Sequence, residues 1–135
     1  MALKKVYVTK KVTFESAHHL NNYDGKCSRV HGHSYKLEAT FCGNIDTSNI
    51  SDCHYACEAM VCDFSYLKKL LNKVVVDKYD HCDLNLFFEQ PTAEVMAIRI
   101  FEYLKKEIGN SNYEIYSVRL WETEDSYAEY KGEVV

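Results

Sequence analysis

Apolar and polar positions alternate at both ends of the chain and recur at helical spacing in between. Lys5 to Phe14 is rich in Val, Tyr and Thr, which suit a pleated, half-buried surface, and reads as a strand. From Ser34 to Cys42, Tyr35, Leu37, Ala39 and Phe41 share one face while Lys36, Glu38 and Thr40 take the other. A second strand with one wet side follows from that alternation. Gly43-Asn44-Ile45-Asp46 has the composition of a turn, and 43–61 reads as a long irregular loop. Asp63 can cap a helix running to about Asp77, with Leu67, Leu70, Leu71, Val74 and Val75 as its apolar stripe. Thr92, just after Pro91, can cap a second helix with the stripe Ala97, Ile98, Phe101, Leu104 and Ile108. Lys105 and Lys106 favour its C-terminal end, and Gly109 ends it. Tyr113 to Glu122 alternates again, with Tyr116, Val118 and Leu120 on one face, and Ser126 to Lys131 is a short last strand. The order β-β-α-α-β-β predicts an α+β domain, a four-stranded antiparallel sheet with two helices on one face. Open sheet edges are often covered by another subunit, which predicts a homo-oligomer.

Composition narrows the class. At 135 residues the chain fits one domain, 1–135, and 47% apolar residues suffice for a real core. A net charge of −4 lacks the basic stripe of a nucleic-acid binder. No apolar run reaches the roughly 18 residues of a membrane helix. The start, Met1 to Val6, shows no long apolar segment, so a secretory signal is not expected and a cytoplasmic location is. In that setting the six cysteines read as free thiols or ligands rather than as a disulfide framework.

Candidate chemistry centres on His31-Gly32-His33. Residues i and i+2 of a strand share a face, so two imidazoles there can chelate one metal ion. Phe14 to His19 ends the first strand, and a hairpin would bring His18 or His19 beside the pair. Three neutral histidines and an open position describe a catalytic zinc site, though a bare His-x-His is also an ordinary surface pair. Cys27 is flanked by Lys26 and Arg29, which would favour its thiolate; the alternative is a plain loop cysteine. Asp80-His81 is a carboxylate next to an imidazole, a weak acid/base signal. Glu122 continues the apolar face of its strand, so it either reaches solvent or meets a ligand with adjacent N–H donors. Cys53, His54, Cys57 and Cys62 lack the usual C-x2-C spacing and read as scattered thiols.

These segments in order resemble the 6-pyruvoyltetrahydropterin synthase family. The resemblance rests on Phe14-Glu15-Ser16-Ala17-His18, Cys27-Ser28-Arg29-Val30-His31-Gly32-His33 and Val61-Cys62-Asp63-Phe64. Asp80-His81, Pro91-Thr92-Ala93-Glu94 and Glu122-Thr123 continue it over nearly the whole chain. It implies the tunnelling fold (T-fold), with subunits forming a barrel around a pore, usually a homo-hexamer built as a dimer of trimers. It implies Zn2+ held by His18, His31 and His33, and Cys27 as catalytic base with Asp80 and His81 as acid/base partners. It implies a pterin substrate, anchored by Glu122 and steadied by Thr92.

The family divides by product. The short spacing from Cys27 to His31, with Arg29 between, resembles the bacterial branch, which makes 6-carboxy-5,6,7,8-tetrahydropterin for queuosine and other 7-deazapurines. The ending from Glu122 to Glu133 is also similar to the animal type, which makes 6-pyruvoyltetrahydropterin. A zinc-stabilised pterin- or purine-binding oligomer without catalysis is the reading from another class. A thiol redox protein is disfavoured because no C-x-x-C occurs. The stretch 43–63 is longer than the family's usual connection and has no assigned role.

Overall fold

The computed structural model describes residues 2–48 and 59–133. Two long strands, β1 (Leu3–His18) and β2 (His31–Asp46), pair antiparallel along their whole length, from Leu3 opposite Asp46 to His18 opposite His31. Both outrun the stretches where alternation is clear, because their ends mix polar residues, glycine and isolated apolar residues such as Leu3 and Ile45 and show no sustained period of two. Gly43 to Asp46, expected as a turn, is the end of β2. Gly43 marks a close approach instead: a Cβ there would sit 3.1 Å from Val61 Cγ1 and 3.5 Å from the Asn112 carbonyl oxygen.

The sheet has five strands in the order β3-β1-β2-β4-β5, with β4 at Tyr113–Thr123 and β5 at Ser126–Tyr130. The strand missing from the sequence reading is β3, only Cys82–Asp83, which lies parallel to β1 at Ser16 and Ala17. The sheet is therefore mixed rather than purely antiparallel. A bulge in β4 corrects another expectation. Thr40 faces Ser117 but Phe41 faces Ile115, so Tyr116 has no partner. The extra residue reverses the phase of the alternation. Ile115 enters the core, and Tyr116 turns outward onto Tyr7, 4.7 Å between ring centroids.

The helices cover one face. Asp63 caps α1 (Phe64–Leu71), its carboxylate accepting from the Ser65 N–H. A π turn (Asn72–Val76) and the short α2 (Asp77–Tyr79) extend it past the expected end. The wider turn keeps Leu71, Val75 and Tyr79 buried at four-residue steps and delivers Asp80 and His81 to the end of β1. Thr92 caps α3 (Ala93–Ile108), and Gly109 closes it with a φ of 53°. The buried stripe of α3 is Ala93, Met96, Ala97, Ile100, Phe101, Leu104 and Ile108; Ile98 falls outside it and is exposed. Phe14, stacked on Tyr35 at 5.0 Å, joins this core to the floor of the site described next. Among the described residues no helix is long and apolar enough to cross a membrane.

Candidate metal centre

The hairpin register sets the site. His18 ends β1 opposite His31, the first residue of β2, and His33 follows two residues on, on the same face. On β4, Leu120 is buried against the helices and Glu122 lies on the same side. His18, His31, His33 and Glu122 each bring a ligand atom to within 4.8 Å of the others. His18 Nε2 lies 3.1 Å from His31 Nε2 and 3.0 Å from Glu122 Oε1, and His33 Nε2 lies 3.0 Å from the same oxygen.

The outer nitrogens are fixed by backbone carbonyls. His18 Nδ1–H donates to the Pro91 carbonyl at 2.8 Å, and His31 Nδ1–H donates to the Arg29 carbonyl at 2.7 Å. These bonds set the tautomer and aim both Nε2 lone pairs inward. Tyr35, buried beneath, brings its hydroxyl to 3.2 Å from His18 Nδ1. Two lone pairs 3.1 Å apart repel unless a proton or a cation sits between them. His33 Nε2 is buried and makes no well-angled hydrogen bond, despite its nearness to Glu122. Donors held about 2 Å from one ion in tetrahedral array stand roughly 3.4 Å apart. The observed spacings fit a small divalent ion, and three imidazoles with a carboxylate suit zinc among others.

The electrostatics follow from that crowding. Burial pulls the His18 imidazole toward neutrality, but the hydrogen bonds to Glu122 and Pro91 outweigh it and its pKa is raised. Burial lowers the His33 pKa, opposed by Glu122. When His18 carries a second proton its Nε2–H donates to Glu122; that bond, and then the neighbouring His33, outweigh burial and hold the Glu122 pKa below the usual carboxylate range.

Asp80 and His81 form a second group. Asp80 Oδ1 accepts from the Glu15 N–H at 2.8 Å, and Oδ2 lies 2.9 Å from His81 Nδ1. The Glu15 hydrogen bond, then His81, keep the Asp80 pKa low. His81 has a φ of 60°, held by its own N–H donating to the Glu15 carbonyl. Histidine is one of the residue types that tolerates this left-handed region. Its side chain is 78% exposed. A cleft of about 520 Å³ is lined by both His33 and His81, with Glu15, Ser34, Cys82 and Asp83 between them. The cleft therefore runs from His81 to one member of the histidine cluster, His33.

Cys27 sits in a 3-10 turn (Lys26–Ser28), half-buried, with its carbonyl accepting from the Leu20 N–H at 2.7 Å. Among the described residues, no hydrogen bond joins Cys27 to the histidines. The Thr92 hydroxyl accepts from the Val95 N–H at 3.2 Å and so caps α3. The residue before it, Pro91, supplies the carbonyl that holds His18. Cys53, His54 and Cys57 lie outside the described residues; Cys62 lies by Tyr113, at the end of the sheet opposite the histidines. Sequence reasoning missed Pro91, Arg29 and Tyr35. The first two act through carbonyls, which any residue owns, but Tyr35 could have been found as the next residue on the face of His31 and His33.

The whole described architecture has relatives. Residues 7–133 match the family model for 6-pyruvoyl tetrahydropterin synthase. The chain belongs to that family. It is 35% identical to a 6-carboxy-5,6,7,8-tetrahydropterin synthase of Haemophilus influenzae, covering 92% of this chain and 97% of that one. A Synechocystis protein of the same name is 37% identical over 91% of each chain. The human 6-pyruvoyl tetrahydrobiopterin synthase is 27% identical over 93% of this chain and 91% of its own. The structure of Caenorhabditis elegans 6-pyruvoyl tetrahydropterin synthase superposes with a TM-score of 0.80, at 29% identity, covering 98% of this chain and 99% of that one. The α+β architecture is accordingly the tunnelling fold.

Proposed function

We propose that this family member is a zinc-dependent lyase. It converts 7,8-dihydroneopterin triphosphate to 6-carboxy-5,6,7,8-tetrahydropterin, acetaldehyde and triphosphate. The observation that carries the reading is the inward-facing set of His18, His31 and His33, pre-aimed by backbone carbonyls beside a carboxylate. When bound, zinc supplies Lewis acidity that lowers the pKa of substrate hydroxyls. His18, His31 and His33 would hold it. The Cys27 thiolate takes the proton from the carbon next to the pterin ring. His81, oriented by Asp80, exchanges protons with the side-chain oxygens. Glu122 accepts hydrogen bonds from the ring N–H and the exocyclic amine once the imidazoles it faces are satisfied otherwise. Thr92 steadies the same ring.

The carboxy product is favoured because relatives of that name reach 35 and 37% identity, in Haemophilus influenzae and Synechocystis, although another stands at 28%, beside 27% for the human 6-pyruvoyl tetrahydrobiopterin synthase. The physiological role on this reading is queuosine and 7-deazapurine synthesis in the cytoplasm, by a homo-hexamer built as a dimer of trimers. Among the described residues the outer edges of β5 and of most of β1 are unpaired, which suits assembly through the sheet. The pyruvoyl product is the second reading, supported by the likeness to the nematode structure.

The test is product identification by mass spectrometry after incubating zinc-loaded protein with 7,8-dihydroneopterin triphosphate. Carboxytetrahydropterin with acetaldehyde is expected, and a pyruvoyl product would transfer the chain to the other branch. Cys27→Ala is expected to lose turnover by orders of magnitude while keeping zinc. A pterin-binding protein without catalysis would return substrate unchanged and be indifferent to that substitution.

A further inference from the structure

Past the end of β1 the chain runs on through His19, Leu20 and Asn21 with no strand beside it. Its backbone groups are paired all the same, by side chains. His19 N–H donates to Asn85 Oδ1 at 2.9 Å, and Asn85 Nδ2 donates back to the His19 carbonyl at 3.1 Å. Asn21 N–H donates to Gln90 Oε1 at 2.7 Å, and Gln90 Nε2 donates back to the Asn21 carbonyl at 2.7 Å. Asn21 Nδ2 adds a bond to the Glu89 carbonyl at 2.8 Å. Each amide thus closes a two-bond ring with one residue, as a partner residue does in an antiparallel ladder. The residue between them, Leu20, points its N–H the other way, onto the Cys27 carbonyl at 2.7 Å.

We propose that Asn85 and Gln90 are positioning residues for Cys27. Their amides replace the missing strand and fix His19 to Asn21, and that stretch in turn fixes the turn that bears the thiol. The inference rests on the reading of Cys27 as catalytic base. Its logic is one of shared reference. Asn85 and Gln90 belong to the same short segment as Asp80 and His81, which is itself tied to β1 at Glu15, Ser16 and Ala17. Thiol and imidazole are therefore located from one segment, and among the described residues no other hydrogen bond joins their loops. Within the turn, Ser28 N–H and Oγ both reach the Gly25 carbonyl, and Arg29 N–H reaches Lys26. His31 Nδ1–H on the Arg29 carbonyl holds its C-terminal side to β2, and the Leu20 N–H on the Cys27 carbonyl holds the residue that bears the thiol.

The test uses the full-length, metal-saturated protein and the variants Asn85→Ala, Gln90→Ala and Gln90→Glu. Peptide-resolved iodoacetamide labelling reads Cys27, with Cys42 and Cys62 as internal references. Hydrogen exchange reads the Leu20 amide. Steady-state kinetics separate kcat from KM. Loosening the clamp is expected to speed Leu20 exchange and Cys27 labelling several-fold. It should lower kcat about 100-fold with little change in KM, as a displaced reacting group does. Gln90→Glu keeps the acceptor for Asn21 N–H and should recover part of both effects. Folded variants with unchanged Cys27 labelling and Leu20 exchange would overturn the clamp. Faster labelling with unchanged kcat would overturn its catalytic relevance. If wild-type protein turns over no pterin, the enzymatic reading fails, and the labelling and exchange arms still decide whether the amides place Cys27. Should the double-bonded Asn85 prove essential for folding, Gln90→Ala alone carries the decision.

Discussion

Two glutamates on neighbouring strands face opposite sides of the sheet, and their surroundings differ in kind. Glu38 lies on the face away from the helices, with its side chain 11% exposed. Trp121 Nε1 donates to it at 3.1 Å, and Lys11 and Arg119 approach to 3.6 and 4.0 Å. Around it Lys36 lies over the Trp121 ring, Trp121 stacks on Tyr127, and Arg119 lies over Tyr127. All these partners are permanent donors or permanent cations, so the charge of Glu38 is answered at any ordinary pH. Glu122 is more exposed, at 31%, yet its neighbours are two imidazole nitrogens at 3.0 Å, which offer lone pairs when the rings are neutral and donate only when they are protonated. A carboxylate finished by fixed cations holds a sheet together. One set among unfinished nitrogens waits for something to complete it.

The comparison breaks most visibly at the histidines. His31→Ala or His33→Ala removes a ligand and leaves the others with nothing to share. Zinc is expected to be lost on dialysis, and turnover to fall to background, with metal analysis and activity measured on the same samples. Retained stoichiometric zinc in both variants would remove the cluster from the mechanism. Next in size, Glu122→Gln keeps shape and removes charge. Zinc affinity by chelator competition should weaken by about 10–100-fold, the range for a group that supports the ligands. An unchanged affinity with a raised KM would place Glu122 on the substrate alone. Glu38→Ala is the counterpart on the other face. It should leave zinc affinity untouched and cost about 1–3 kcal/mol of stability, because Trp121 Nε1 loses its acceptor. A lowered thermal midpoint with full metal content is the expected pair of results.

Why the two glutamates could be told apart only in part from sequence is itself physical. Alternation placed Glu38 on the wet face and Glu122 on the core face, because side-chain period in a strand is two. Spacing brought His31 and His33 to one face, and hairpin pairing carried His18 or His19 toward them; only the family resemblance chose His18. The depth of the hairpin was not legible, since residues 15–18 and 31–33 are polar on both faces. Nor were the partners of the histidines, because a carbonyl from Pro91 or Arg29 carries no residue signature. Tyr116 was misplaced because one inserted residue reverses a period of two, and no local composition announced the bulge. Ile98 was misplaced because an aliphatic residue just off a helical stripe looks like part of it. The two-residue β3 is too short for any pattern, though it ties the Asp80-His81 segment to the strand that ends in His18.

A third carboxylate gives the smallest effect and tests the contrast at the far end of β2. Asp46 is half-buried, and its pKa is lowered first by the Ser48 hydroxyl, then by the backbone N–H groups of Ser48 and Ala2. Its folded pKa lies below the ordinary value of 3.8. The stability it contributes is therefore present above that pH and is lost as pH falls through the folded value. Asp46→Asn removes this titration. Near neutral pH the variant should unfold much as the parent does, since the asparagine oxygen can still accept from the Ser48 and Ala2 N–H groups. Below 3.8 its stability should fall less steeply than the parent's, read as a flatter acid limb in denaturant midpoints against pH. Zinc affinity should be identical in the two proteins, because β2 separates Asp46 from His31 by its full length. A change in metal binding would mean that the hairpin transmits strain from one end to the other. The division between carboxylates that close the fold and the one that faces the metal ligands would then need redrawing.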